Sequence, residues 1–296
     1  MPTLVLLGAG ASHGSEPDRS NKTPPLGDRL FEELCKLGGI ASRLPEDFKT
    51  IFEQGFELGM WAFNNRMNVG LQAFHREMSS YLADFAPTPD SHYIGLLKLL
   101  RSRNVIFSSL NYDMMLEEAA FALGMNVSYG LDRHLNTIRL LKSHGSINFW
   151  PEFPSEAFEY NLISNCGAAL SAPIRPVDRE AAKHRCLAET TFSPAISMYA
   201  KGKKVSVCPG FVQKQQDMFS IACRRAARIF VVGVRVVSED SHIWGPILNS
   251  GADVTYFGNE ADEVELRVWA DAGKRKNVNF INGYFDKAIA NISPFI

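Results

Sequence analysis

Apolar and polar positions along this chain follow two periods. Runs of four to six apolar residues have the pattern of strands buried on both faces; between them lie stretches with apolar positions three or four apart, the pattern of helices. "TLVLL" at 3–7 is the first run, and it meets Gly8 and Gly10. "TPPLGDRLFEELCKL" then sets prolines ahead of a helix with Leu30, Leu34 and Leu37 on one face. From approximately 40 to 101 the helical period dominates, through Phe48, Ile51, Phe52, Phe56 and Leu58, then Leu71, Phe74, Met78 and Tyr81. Two or three inserted helices are predicted there.

Alternation returns with "NVIFSSLNYD", a short buried strand running into a polar loop, and "MMLEEAAFALG", a helix closed by Gly124. "NVSYG" and "TIRLLKSHG" read as further strands, the second ending at His144 and Gly145. Residues from approximately 150 to 200 read as irregular and hold five of the fifteen prolines. Beyond them "KVSVCPG", "RIFVVG", "DVTYFG" and "NVNFING" are predicted strands. The intervening helices are "QKQQDMFSIACRRA", "SEDSHIWGPILNSG" with Ser/Asp capping chemistry at its start, "DEVELRVWADAG" and the closing "FDKAIANI". Strands alternating with helices specify a parallel sheet covered on both faces. The expectation is one α/β domain over 1–296, a doubly wound, Rossmann-like parallel sheet with an inserted helical subdomain and no zinc ribbon.

Composition narrows the function classes. The chain of 296 residues is 46% apolar and 21% charged, with a formal net charge of -1, ordinary values for a globular protein. Non-specific nucleic-acid binding needs a basic face, and the clusters "AKGKK" and "KRK" are short, scattered and without interleaved aromatics. No nucleic-acid partner is expected. The opening apolar run lacks the basic flank and length of a secretion signal, and no segment approaches the ~18 apolar residues of a membrane helix. A cytoplasmic protein without a membrane partner is the expectation. Cys35, Cys166, Cys186, Cys208 and Cys223 include no C-x-x-C pair, so reduced thiols and no metal site are expected.

Ligands of doubly wound sheets bind at the carboxyl ends of the strands, where three loops carry unusual polar content. "GAGAS" is a glycine turn after a strand, but a G-x-G-x-x-G fingerprint needs glycine where His13 stands. Asp28 has the spacing of a ribose-binding acid, yet sits at a helix start. "GASHG" matches the G-x-S-x-G hydrolase elbow formally, although such an elbow follows strands that build its oxyanion hole. Asn111 and Asp113 in "SLNYD" suit either helix capping or a site, and His144 in "KSHGS" suits either a structural role or a base. Together they amount to a phosphate turn, an amide, a carboxylate and a candidate base on one rim. His13 remains open between structure and site, and His242 near Asp240 reads as the first turn of a helix that Asp240 caps.

In that order and spacing, "GAGAS", "NYD" and "HGS" resemble the sirtuin NAD-binding domain, above all the zinc-free sirtuin-like NAD hydrolases of bacterial anti-phage defence. "PGFVQK" before a helix, "FVVGVRVVSED" and "VTYFGNEAD" continue the likeness over nearly the whole chain, weakest from 40 to 100 and from 150 to 200. The resemblance implies that Gly8, Ala9, Gly10 and Ser12 surround the phosphates of NAD, with Gly233 and Asn259 towards the adenosine end. It implies Asn111 and Asp113 near the nicotinamide ribose and His144 as catalytic base. Deacylating sirtuins have glutamine where Leu110 stands and carry a four-cysteine zinc module that this chain lacks; Arg235 and Val236 also replace a small polar turn.

The implied activity is an NAD glycohydrolase releasing nicotinamide and ADP-ribose, with NAD as substrate and no metal, an NAD-depleting effector of antiviral defence. Nicotinamide leaves as a neutral group from a cationic one through an oxocarbenium-like state, so positioning amide, carboxylate and base suffice. An imidazole, titrating near ~6.5 when unperturbed, suits a base working near neutrality. Control by homo-oligomerisation or by a separate sensor protein is expected of such an enzyme. The alternatives are a non-catalytic NAD- or ADP-ribose-binding or assembly subunit, and a protein deacylase or ADP-ribosyltransferase.

Overall fold

The computed structural model describes residues 1–18, 20–66, 70–152, 171–197, 207–237 and 240–292. The chain opens with β1 (Thr3–Leu7), α1 (Ala9–His13) and α2 (Gly27–Lys36), followed by α3 (Glu46–Gln54), α4 (Phe56–Arg66), α5 (Leu71–Leu82) and α6 (His92–Leu100). Next come β2 (Val105–Ser109), α7 (Met115–Ala122), β3 (Asn126–Ser128), β4 (Thr137–Leu141), β5 (Phe149–Pro151), β6 (Ile174–Pro176) and α8 (Arg179–Ala188). The last third holds α9 (Pro209–Arg225), β7 (Arg228–Val232), α10 (Ser241–Leu248), β8 (Asp253–Gly258), α11 (Glu260–Ala272), β9 (Val278–Asn282) and α12 (Phe285–Ile292).

Seven strands form one sheet in the order β3-β4-β2-β1-β7-β8-β9, parallel throughout. Period-2 alternation splits each central strand between two cores. Val5, Leu7, Phe107, Leu140, Phe230 and Val232 face the cluster built with α2 to α7 and α12. Leu4, Leu6, Ile106, Leu141, Ile229 and Val231 face the cluster built with α9, α10 and α11. Helices cover both faces, as a doubly wound α/β fold requires. No helix among the described residues is long and apolar enough to cross a membrane.

Among the described residues the predicted insertion holds four α-helices and a short 3-10 turn at Ala41–Arg43, and its aromatics belong to the same cluster as one face of the sheet. Phe31 stacks on Phe52 at 4.0 Å between ring centroids, and Phe52 packs on Phe74 at 5.7 Å. Such pairs add ~0.5–1.5 kcal/mol beyond the area they bury. The stretch expected to be irregular also carries regular structure. β5 and β6 pair antiparallel as a small separate sheet, and α8 starts at Asp178, whose carboxylate accepts from the Ala181 N–H at 2.7 Å. The strand predicted at "KVSVCPG" falls outside the described residues at 204–206; Val207 is buried, and α9 begins at Pro209, four residues before the predicted Gln213. Proline at the first helical position explains that start.

Candidate functional site

The chain builds β2, β4 and β3 on one side of β1 and then returns to build β7, β8 and β9 on the other. The direction reverses between β1 and β7, which makes their carboxyl ends the switch point where doubly wound sheets hold ligands. Gly8 and Gly233 meet there. The Gly8 N–H donates to the Val232 carbonyl at 3.0 Å and the Gly10 N–H to the Gly233 carbonyl at 3.0 Å. A Cβ on Gly8 would lie 2.4 Å from the Gly233 oxygen. Gly233 has φ +63, and a Cβ there would lie 2.2 Å from the Ala11 nitrogen. Both positions exclude any side chain, so two backbones can touch. Ala9 is exposed on this turn, and its N–H has no acceptor among the described residues.

The β2 loop comes alongside. Leu110 N–H donates to the Leu7 carbonyl at 2.9 Å, carrying the β2 end beside the glycine turn. Asn111 Nδ2 donates to the Gly8 carbonyl and to Ser12 Oγ, both at 2.8 Å. Ser12 Oγ also bonds the Tyr93 hydroxyl at 2.9 Å. Ser12 is 1% exposed and turned inward, a brace between α1, α6 and the β2 loop rather than a nucleophile at an elbow. Both Asn111 amide protons are used within the protein, while Oδ1 has no hydrogen-bond partner among the described residues. Asp113 Oδ1 accepts from the Met115 N–H at 3.0 Å, the capping role that its place before α7 allowed.

His144 lies just past β4 on the same rim, 6% exposed. Gly145 beside it has φ +81, and a Cβ there would lie 2.1 Å from the Ala195 carbonyl. The segment 195–197, bridged antiparallel to Gly145 at Ile196, fixes this turn: Ser146 N–H donates to the Ala195 carbonyl at 3.2 Å and Ser197 N–H to the His144 carbonyl at 2.8 Å. His144 Nε2 shares a 3.0 Å hydrogen bond with His242 Nε2. Asp240 Oδ1 stands 3.8 Å from His144 Nε2 and 3.7 Å from His242 Nδ1. The expected side-chain cap by Asp240 is not made; its carboxylate faces the two imidazoles, while its backbone carbonyl starts α10. His242 and Asp240 therefore join the site. The 98-residue separation of the two histidines hid this from the sequence.

A buried polar network ties the β2 and β4 loops together. Lys142 Nζ donates to the Asp113 carbonyl at 2.6 Å and lies 3.4 Å from Glu117 Oε1, both side chains being at most 1% exposed. Tyr129 donates to Glu117 at 3.2 Å and accepts from Asn148 Nδ2 at 2.7 Å. Gln215 accepts from the Lys142 N–H at 3.0 Å. Burial pushes the Glu117 carboxyl above its ordinary range, with Lys142 opposing. The ion pair thus links the backbones that carry Asp113 and His144.

Other sequence candidates lie elsewhere. Asn259 follows β8 as the N-cap of α11 and forms a capping box with Asp262, its Oδ1 accepting from the Ala261 N–H at 2.8 Å. His13 Nδ1 meets the Pro24 carbonyl at 3.2 Å. Asp28 sits in the first turn of α2 and lines a separate 560 Å³ cleft with Phe31, Lys49 and Phe52. Among the described residues Cys35, Cys186, Cys208 and Cys223 are free thiols, and burial pushes Cys186 up to about 12.

No family model matches this sequence, and no curated protein does. Solved structures of Sir2 homologues are among those the chain is similar to. A serine-to-alanine variant in complex with ADP-ribose is 16% identical, covering 93% of this chain and 94% of its own, with a TM-score of 0.43. A histidine-to-asparagine variant, also with ADP-ribose, is 15% identical over the same shares, with a TM-score of 0.44. A Sir2 homologue in complex with NAD is 13% identical, covering 99% of this chain and 88% of its own, with a TM-score of 0.48. At these identities and TM-scores the likeness assigns neither fold nor function; both rest on the strand order and the residues of the rim.

Proposed function

We propose that this chain hydrolyses NAD to nicotinamide and ADP-ribose. The observation that carries the reading is the convergence, at the β1/β7 switch point, of the glycine turn, of Asn111 bonded to that turn, and of the rim that bears His144. The exposed Ala9 N–H receives the phosphates on the turn framed by Gly8, Gly10 and Ser12, with Gly233 and Asn259 towards the adenosine end. Asn111 Oδ1 accepts from a ribose hydroxyl or holds the attacking water. Asp113 supplies negative charge near the oxocarbenium-like centre, its Oδ2 being the oxygen not spent on Met115.

His144 takes the proton from water as the glycosidic bond breaks. Nicotinamide departs neutral, so no acid is required on the leaving side. Leu110 in place of glutamine and the absence of a close cysteine pair in the sequence disfavour protein deacylation. An enzyme draining NAD needs restraint; homo-oligomerisation or a separate sensor protein provides it in this reading, in a cytoplasmic setting of antiviral defence. The test is incubation of the purified chain with NAD, separation of products by chromatography, and light scattering on the same preparation. Equimolar nicotinamide and ADP-ribose are expected; unchanged NAD together with no NAD-dependent rise in melting temperature overturns the assignment. Full activity from a lone monomer overturns control by assembly.

A further inference from the structure

We propose that His144, Asp240 and His242 form a binding site for one divalent transition-metal ion of the zinc type. Their ligand atoms lie within 4.8 Å of one another, with His144 and Asp240 buried and His242 half-buried. Two imidazoles and one carboxylate are a donor set suited to zinc and its neighbours, which take three protein ligands and leave a fourth position to water. Two ligands each ~2.0–2.1 Å from a tetrahedral ion stand about 3.3 Å apart. The Nε2–Nε2 separation of 3.0 Å and the 3.8 Å from His144 Nε2 to Asp240 Oδ1 bracket that edge, and the third pair of ligand atoms lies within 4.8 Å, so metal binding draws Asp240 and His242 together by side-chain rotation.

The two residues of the α10 start and the one after β4 are held by separate devices. Gly145 and the 195–197 segment fix His144, while the Ile243 and Trp244 N–H groups bind the Asp240 backbone carbonyl at 2.8 and 2.9 Å. Without metal, the Nε2···Nε2 hydrogen bond needs one ring to carry its proton on Nε2. Metal binding through both Nε2 atoms moves that proton to the ring's own Nδ1 or releases it to solvent. Uptake therefore weakens as pH falls.

The consequence for activity rests on the NAD reading above: a metal on His144 Nε2 removes the base, so bound metal holds the enzyme off. The close-spaced cysteines of a zinc module are not needed for this site.

The experiment is calorimetric titration of the chelator-stripped full chain with Zn²⁺, beside His242→Gln and Asp240→Asn. One ion per chain is expected, with affinity lowered about 100-fold in each variant. Near-UV circular dichroism checks that both variants fold. Co²⁺ uptake by the unmutated chain gives an independent measurement. Visible bands of a tetrahedral nitrogen–oxygen site support the assignment, whereas a sulfur-to-metal charge-transfer band, or no saturable one-to-one uptake, overturns it. Variants that bind like the parent also overturn it. Zn²⁺ added to the NAD reaction should stop turnover and a chelator should restore it. Metal uptake by a chain with neither turnover nor an NAD-dependent rise in melting temperature refutes the NAD reading and leaves the site standing; turnover unchanged at one bound Zn²⁺ per chain refutes the inhibitory role.

Discussion

Replacing Lys142 by Met keeps the aliphatic stem and removes the cation that faces Glu117 among the described residues. At 3.4 Å and an effective dielectric of about 20, the attraction is worth about 5 kcal/mol. Breaking a buried pair from one side costs ~3–5 kcal/mol, because the remaining charge is stranded. Glu117 Oε2 has no hydrogen-bond partner among the described residues, which leaves the Tyr129 hydroxyl at 3.2 Å from Oε1 as a neutral donor to the stranded charge. For a chain of this size, each kcal/mol moves the melting temperature by ~2–4 °C, which sets the expected loss at about 10 °C at pH 8. The carboxyl is already raised by burial, and losing Lys142 raises it further. A raised carboxyl favours the fold in its protonated form, so the penalty is present at high pH and fades as pH falls through the folded value. Differential scanning calorimetry from pH 8 to pH 5 should show the gap to the parent narrowing. Adding Glu117→Gln to Lys142→Met should recover most of it at pH 8. A single variant melting within about 2 °C of the parent at pH 8, or a double variant no more stable than the single, refutes the reasoning.

Two further predictions follow from backbone and burial. His75 is fully buried with neither ring nitrogen hydrogen-bonded among the described residues, and burial holds it down at about 4. The unfolded chain binds that proton below pH ~6.5, so stability falls as pH drops from there towards 4, by about 2 kcal/mol at pH 5. His75→Phe should narrow the stability gap between pH 7.5 and pH 5 by that amount in urea titrations; an unchanged gap contradicts it. At the rim, Gly233→Ala forces a Cβ to 2.2 Å from the Ala11 nitrogen at φ +63 and should cost about 2–4 kcal/mol. Gly210→Ala, with nothing within 4 Å, should be neutral or slightly stabilising; equal losses at both positions in thermal melts contradict the close approach.

The sheet was legible because its strands are buried on both faces and read as continuous apolar runs. "TLVLL", "VIFSS" and "RIFVV" need no tertiary information to be recognised. Gly8 and Gly10 likewise announced a tight turn, although only the strand order shows that Gly233 is what they touch. The helix Arg179–Ala188 escaped notice for a physical reason: it is charged and buries only Ala182 and Cys186, and prolines surround it. Asp178 at its N-cap and the run of helix formers were the available signal. The His144 cluster was half legible. His144 stood out at a strand end, but Asp240 and His242 looked like ordinary capping chemistry, and only the return of the chain to β7 brings them together. Lys142 and Glu117 gave no sequence signal, since their pairing depends on α7 lying under β4's carboxyl end.

The most direct test of the central claim is the rate of nicotinamide release from NAD by the unmutated chain and by His144→Ala, both verified as folded. General-base help is worth ~10²–10⁴-fold, and the account predicts a loss in that range with little change in melting temperature. Equal rates from the two proteins would contradict it.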